Sequence, residues 1–330
     1  MSMGGLDPAI SLAENYRVWA QEAKGRSPAY VTLSASVADE AAILEFLGTL
    51  PPDKRQPNLL FASAYYLLGT PANPRTLRGL VNRDPDALTR VMLTRRTQTN
   101  EAARCATLLP ALAQLPEPLA LIEVGASAGL TLLFDQYSYD YGDRVIAGSD
   151  PEAPTLHCGP RGPVPVPARV PEIAWRAGLD LNPLDVNDDD DMHWLSCLLW
   201  PGEGDRAQRL AAAIATARRS APPVHRGDLL TDLPALAAQA PADATLVVYH
   251  SAVLAYVAPD DRERFAEIVG DLPAVWFSNE APGVVASVPV SGRDDGTFVL
   301  ARNGRQALAR TDGHGDFVEW LPAPASLADP

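Results

Sequence analysis

The stretch "LIEVGASAGLTLLF", residues 121–134, holds the chain's most suggestive spacing. Ser127 stands between Gly125 and Gly129 in the order G-x-S-x-G. A nucleophile elbow needs that order, because small flanking residues let a sharp strand-to-helix turn push a serine hydroxyl outward. As a nucleophile, Ser127 has partners in the order Ser, Asp, His: Asp228, then His250 or His314. The same residues also read as E-x-G-x-x-x-G, with Glu123 two residues before the first glycine. In that reading Gly125 permits a tight turn, and Ala126, Ser127 and Ala128 let backbone amides approach a ligand. Gly129 would open a helix whose N-terminus favours carboxylate or phosphate. No Lys-Ser or Lys-Thr follows, which excludes a kinase-type phosphate loop, and Ser127 replaces the middle glycine of a dinucleotide-binding G-x-G-x-x-G.

Three later segments add groups of the right kind. "AGLDLNPLDV" (177–186) ends an expected strand on Asp180, a position from which a carboxylate accepts the protons of ribose hydroxyls, with Asp185 as the substitute. "HRGDLLTDLP" (225–234) puts Asp228 at the end of a third strand, where it could read an adenine edge or cap the next helix. "LVVYHSAVLAY" (246–256) puts Tyr249 and His250 at the tip of a fourth strand. His250 there is a candidate general base, or a hydrogen-bonding group for an acceptor, against the plain alternative of a structural histidine. "SNE" (278–280) offers Asn279 and Glu280 as rim residues after a fifth strand. "RRTQTNE" (95–101) carries Arg95, Arg96, Gln98, Asn100 and Glu101 on more than one helical face, so some of them are expected to cap a ligand cleft and contact a substrate.

The elements that must position these groups change character once along the chain. Residues 1 to about 118 read as helical, with "LAENYRVWAQEA", "VADEAAILEFLGTL" and "PNLLFASAYYLLG" at helical spacing. "DPDALTRVMLTRRTQTNEAARCATLLPALAQL" reads as one helix able to run to Leu109. From Leu119 strands and helices alternate, and "LTLLFDQYSY" is expected to be the helix after the glycine loop. Residues 140–171, rich in Pro and Gly, read as an excursion or small hairpin. "EIAWRAGLDL", "PPVHRGDLL", "ATLVVYHS" and "AVWFSNE" are expected strands, and the last segment holds two extended runs able to pair antiparallel. The fold class expected is α/β, a mostly parallel sheet covered by helices.

Composition narrows the partners. The 330 residues are 47% hydrophobic, enough for a sizeable core, and carry a formal net charge of -14. That acidity argues against nucleic acid and against anionic membrane surfaces, leaving a small molecule as the expected substrate. Cys105, Cys158 and Cys197 are too scattered for a disulfide framework, and no Cys-x-x-Cys or His-x-x-x-His appears, so no metal is expected. The first residues lack an apolar h-region behind a basic start, and no apolar run reaches the ~20 residues of a membrane span, so a cytoplasmic location is expected. Composition says nothing about oligomeric state.

The order E-x-G-x-x-x-G, G-x-D-x-N-P, G-D and a polar fourth-strand tip resembles class I S-adenosylmethionine-dependent methyltransferases over about residues 119–320. Nearly the whole chain, through "TRRTQTNEAARC", "LIEVGASAGLTLLFDQYSYDYG", "WRAGLDLNPLDV", "RGDLLTDLPALAAQAPADATLVVYHSAVLAY" and "WFSNE", also resembles an uncharacterised bacterial family, domain of unknown function 2332. The first resemblance implies a Rossmann-like seven-stranded domain over 119–330, preceded by a helical region or lid over 1–118. It implies S-adenosylmethionine as cofactor, held by Glu123, Gly125, Ala126, Ser127, Gly129, Asp180 and Asp228, with His250 and Tyr249 on the acceptor side. Two features depart from that pattern. Small residues replace the middle glycine, and 51 residues separate Gly129 from Asp180 where ~20 is usual. The Pro-rich excursion must loop out for Asp180 to reach the loop. A serine hydrolase using Ser127, and a ligand-binding protein without catalysis, are the rival readings.

Overall fold

In the computed structural model of the chain, residues 6–289 and 296–322 are described. Among the described residues seven α-helices precede the first strand: α1 (Leu12–Glu22), α2 (Pro28–Asp39), α3 (Ala41–Gly48), α4 (Pro57–Leu68), α5 (Pro74–Arg83), α6 (Pro85–Thr94) and α7 (Arg104–Leu112). Local chemistry sets their ends. Ser11 and Ser27 accept backbone N–H groups at the starts of α1 and α2, and Asn73 and Thr76 form a reciprocal capping box on α5. Pro occupies the first turn of α4, α5 and α6, and Gly69 closes α4 in a left-handed conformation.

Strands β1 (Leu119–Val124), β2 (Ser138–Asp140), β3 (Val145–Ile146), β4 (Thr155–His157), β5 (Gly159–Arg161) and β6 (Ile173–Asp180) follow. Then come α8 (Asp189–Cys197), α9 (Gly204–Arg219), β7 (Val224–Arg226), α10 (Leu233–Ala237), β8 (Thr245–Ser251), α11 (Pro259–Asp271) and β9 (Val275–Glu280). The described residues end with β10 (Phe298–Arg302), β11 (Gln306–Thr311) and β12 (Phe317–Trp320).

The described residues divide into two compact units, residues 6–99 with 185–211, and residues 100–184 with 212–289 and 296–322. The helical unit is built on an aromatic cluster in which Trp19 lies 4.9 Å from Trp200 and 5.5 Å from Phe61, ring centre to ring centre. The expected boundary near 118 falls inside the sheet unit. The reason is α7: every residue of it is buried, Arg104 included, so it is a core helix of that unit. The long helix expected from Asp84 onward is broken. Residues 95–100 are non-helical, Arg95 being extended, and Lys54 and Trp194 donate to the carbonyls of Arg95 and Arg96.

In the sheet unit the described residues form a nine-stranded sheet in the order β5-β12-β11-β10-β9-β8-β1-β6-β7. The fold is thus mixed α/β with a large, mostly parallel sheet. Strands β7, β6, β1, β8 and β9 run parallel, and every residue of β1 is buried, as a central parallel strand requires. The far side is an antiparallel meander, β9-β10-β11-β12, with β5 along its edge. Asn303 and Gly304, both at positive φ, turn β10 into β11, the Asn-Gly hairpin signal. The sheet therefore has nine strands rather than the seven expected; the short β5 and β12 are the elements that sequence patterning missed.

The segment after the glycine loop also differs from expectation. It forms one 3₁₀ turn, Leu130–Leu132, and then β2, with no α-helix. Tyr137, Tyr139 and Tyr141 alternate and are all buried, a period of two that overrides the helical spacing of "LTLLF". The excursion does loop out, as the small sheet β3-β2-β4. Arg176 on β6 secures the 3₁₀ segment, donating to both carboxylate oxygens of Asp135 at 2.7 Å and to Leu132 O at 3.0 Å. Arg176→Ala is expected to lower unfolding free energy in urea by about 1–3 kcal/mol; an unchanged midpoint would show that the turn holds without it.

Candidate functional site

Chain order reverses around β1, with β6 and β7 to one side and β8 and β9 to the other. Sheets of this type open a crevice at the carboxyl ends of the strands where the order reverses. The residues at those ends are therefore the candidate site.

The loop after β1 is bound to the turn after β6. Register pairs Val124 with Leu179, so Asp180 ends level with Gly125. Gly125 N and Ala126 N donate to Leu179 O, and Ser127 N donates to Asp180 Oδ2 at 2.8 Å. Asn182 N donates to Asp180 Oδ1 at 2.7 Å, and Leu184 N to Ser127 O at 3.1 Å. Gly125, Ser127 and Gly129 all have positive φ, a conformation that only glycine adopts freely. The space beside each glycine is filled by the chain itself. A Cβ on Gly125 would lie 2.4 Å from Val253 Cγ2, and one on Gly129 would lie 2.7 Å from Pro222 Cγ. Asp180 is the acid that meets the loop, and Asp185 belongs to the helical unit. Leu181, immediately after Asp180, is 55% exposed. Asp228 is half-buried after β7; its Oδ1 accepts Leu230 N at 2.7 Å, so it shapes its own turn and does not cap α10.

Beneath the loop lies a buried polar cluster. Glu123 is 5% exposed and its Oε1 accepts the hydroxyl of Thr131. Among the described residues its Oε2 has no hydrogen-bond partner. Burial pushes the Glu123 carboxyl up to about 8, against the opposing pull of the Thr131 hydroxyl and the charge of Arg104. Tyr249 OH donates to Thr131 O at 3.1 Å, Cys105 Sγ approaches the same carbonyl at 3.4 Å, and Asn100 Oδ1 accepts Leu130 N at 2.8 Å. Burial raises both the Tyr249 phenol and the Cys105 thiol well above their usual ranges.

His250 is fully buried with both ring nitrogens engaged. Trp276 Nε1 can only donate, and it meets His250 Nε2 at 3.0 Å. The proton therefore sits on Nδ1 and is donated to Glu280 Oε1 at 2.7 Å. The same oxygen accepts the amides of Val253 and Leu254 at 2.9 and 3.1 Å. This geometry leaves His250 no nitrogen for an incoming acceptor, so its expected role as base is replaced by a structural one. Asn279 and Glu280 are not rim residues either. Both are buried, and Asn279 bridges Ser251 Oγ and Thr311 Oγ1. Of the "RRTQTNE" residues, Asn100 and Glu101 belong to the sheet unit, and Glu101 Oε1 accepts Ala103 N. Arg95, Arg96 and Gln98 belong to the helical unit, where Arg95 pairs with Asp190 and Asp191 and Arg96 is exposed. Thr131, Val253, Trp276 and Leu181 went unread in the sequence. Only Leu181 had a signal, its place directly after a strand-ending acid.

Two outcomes follow from these contacts. A carboxyl raised on folding holds its proton more tightly in the folded chain. Its contribution to stability is complete below the unfolded value near 4.5 and is lost as pH rises toward about 8. Glu123→Gln is expected to flatten that decline, measured as urea midpoints across the window; equal slopes in both proteins would contradict the assignment. Trp276→Phe strips the donor from His250 Nε2 and is expected to cost about 1–3 kcal/mol in the same assay; a neutral change would mean that the nitrogen finds another partner.

Among the described residues, no helix is long and apolar enough to cross a membrane, and no group of three or more His, Cys, Asp or Glu converges to hold a metal ion. Comparison with curated proteins and with solved structures gives no significant match. A family described as an uncharacterized protein conserved in bacteria, domain of unknown function 2332, matches residues 13–320, and the chain belongs to that family.

Proposed function

We propose that the sheet unit binds S-adenosylmethionine at the carboxyl ends of β1, β6 and β7 and that the protein methylates a small molecule. The observation that carries this reading is the half-exposed acid Asp180 beside the exposed Leu181, at the strand next to the point where chain order reverses. A carboxylate there suits ribose hydroxyls, and a bare leucine gives an adenine ring an apolar face. The parallel order β7-β6-β1-β8-β9 supports a Rossmann-like, methyltransferase-type core, with the meander as an extended edge.

The residues present fit the adenosine half of the cofactor. Asp180 and Leu181 would hold it, with Asp228 bordering the adenine side. The amides of residues 125, 126, 127 and 129 are used within the chain, so the loop contributes shape more than donors. Bound S-adenosylmethionine supplies an already activated methyl group. The protein's work is then alignment, with removal of a proton where the acceptor requires it. His250 and Tyr249 are committed to interior bonds, and no residue is assigned as that base. The net charge of -14 supports a small-molecule acceptor over nucleic acid.

The enclosure of His250 and Tyr249 favours a second reading, ligand binding without turnover. The positive φ of Ser127 is the one feature that favours a serine hydrolase, but a 3₁₀ turn stands where the elbow needs a helix. Fluorophosphonate labelling that is lost in Ser127→Ala would support the hydrolase, and methyl transfer to any acceptor would remove the binding-only reading. The direct test is calorimetric titration with S-adenosylhomocysteine. Affinity on the order of micromolar is expected, weakened about tenfold by Leu181→Ser and by Asp180→Asn. Leu181→Ser should leave the urea midpoint unchanged, because the side chain is exposed. No heat at millimolar ligand would sink the proposal.

A further inference from the structure

Glu123, like Glu280, is a buried acid with one carboxylate oxygen that lacks a hydrogen-bond partner among the described residues; Glu280 Oε1 is met by His250 and two amides, whereas Glu123 Oε1 is met by a hydroxyl alone. Its Oε1 accepts the Thr131 hydroxyl, the nearby Tyr249 hydroxyl also favours its charged form, and its Oε2 has no well-formed hydrogen bond among the described residues. The groups facing it come from several elements. Arg104 and Cys105 lie on α7, Tyr137 precedes β2, Asp180 ends β6 and Tyr249 lies on β8. Arg104 is the one cation among these, and its guanidinium is turned to backbone carbonyls, donating to Gly313 O at 2.9 Å and to Ser251 O at 3.0 Å. A buried carboxylate with a bare oxygen and a second carboxylate nearby is costly; a neutral carboxylic acid in the same place is not.

We propose that Glu123 rests as a neutral carboxylic acid and gives up its proton when a cationic ligand binds at the carboxyl end of β1. This rests on the reading above, in which the ligand carries a sulfonium and an ammonium. The step balances simply. The O–H bond of the carboxyl breaks, the proton passes to solvent, and the carboxylate faces the ligand's positive charge. A cation arriving beside the acid lowers its affinity for the proton, and the bare Oε2 becomes an acceptor with a purpose. Ligand binding is then linked to proton release, and affinity rises with pH until the free protein has itself lost the proton. The raised value near 8 agrees with a resting acid that is protonated at neutral pH.

The experiment has two arms on the full-length chain. Infrared spectra of the ligand-free protein test the resting state. A protonated-carboxyl carbonyl band at neutral pH, absent in Glu123→Gln, is expected, and in the wild type it should fade as pH passes about 8. No such band, or one that does not titrate, overturns the proposal whether or not any ligand binds, and the wild-type titration suffices if the variant does not fold. Calorimetry with S-adenosylmethionine at pH 7, in buffers of different ionisation enthalpy, tests the coupling. Release of about one proton per ligand is expected in the wild type and none in Glu123→Gln. Binding without release, or equal release in both proteins, overturns the coupling. A titrating infrared band with no binding at all would overturn the methyltransferase reading and the coupling with it, while leaving the neutral acid established.

Discussion

The carboxylate of Asp180 holds the two halves of the candidate site together. One oxygen accepts the amide of Ser127 in the loop after β1, and the other accepts the amide of Asn182 in the turn after β6. Two adjacent strand ends are thereby fixed in one geometry by charge-assisted bonds, which are roughly twice as strong as neutral ones. The rest follows from that closure. Ser127 is pulled to positive φ, its carbonyl takes Leu184 N, and Leu181 is left outside the turn with its side chain in water.

A second interior network supports the loop from below and from the neighbouring strand. Glu123, Thr131 and Tyr249 join β1, the 3₁₀ turn and β8 through side chains. Glu280 gathers His250 and the amides of Val253 and Leu254, and Val253 then fills the space beside Gly125. The glycines are small so that the protein's own side chains can pack against the loop. Acids gather at these strand ends, and burial holds one of them, Glu123, well above the usual carboxylate range.

Much of the framework was legible in the sequence because its signals are local. The apolar run of β1, the alternation of strands and helices after Leu119, and Asp180 as a strand-ending acid all depend on neighbours a few residues away. The excursion between Gly129 and Asp180 was legible from its Pro and Gly content. What failed depended on tertiary context. "LTLLFDQYSY" has helical spacing, yet the burial of Tyr137, Tyr139 and Tyr141 makes it extended. "RRTQTN" continues a helix on paper, but Lys54 and Trp194 take the carbonyls of Arg95 and Arg96. His250 reads as a candidate base from the sequence because it sits at a strand tip. Its partners, Glu280 and Trp276, lie 30 and 26 residues further on, in another strand, and nothing in the local sequence announces them.

In the proposed function a nucleoside-bearing cation binds on the Asp180 closure. Amide hydrogen exchange with and without saturating S-adenosylmethionine tests it most directly, because exchange reads the closure residue by residue. The expected result is slowed exchange at residues 125–129 and 180–184, with strands β10 to β12 unchanged. Binding that leaves those two segments untouched, or protection confined to another part of the chain, would contradict the account.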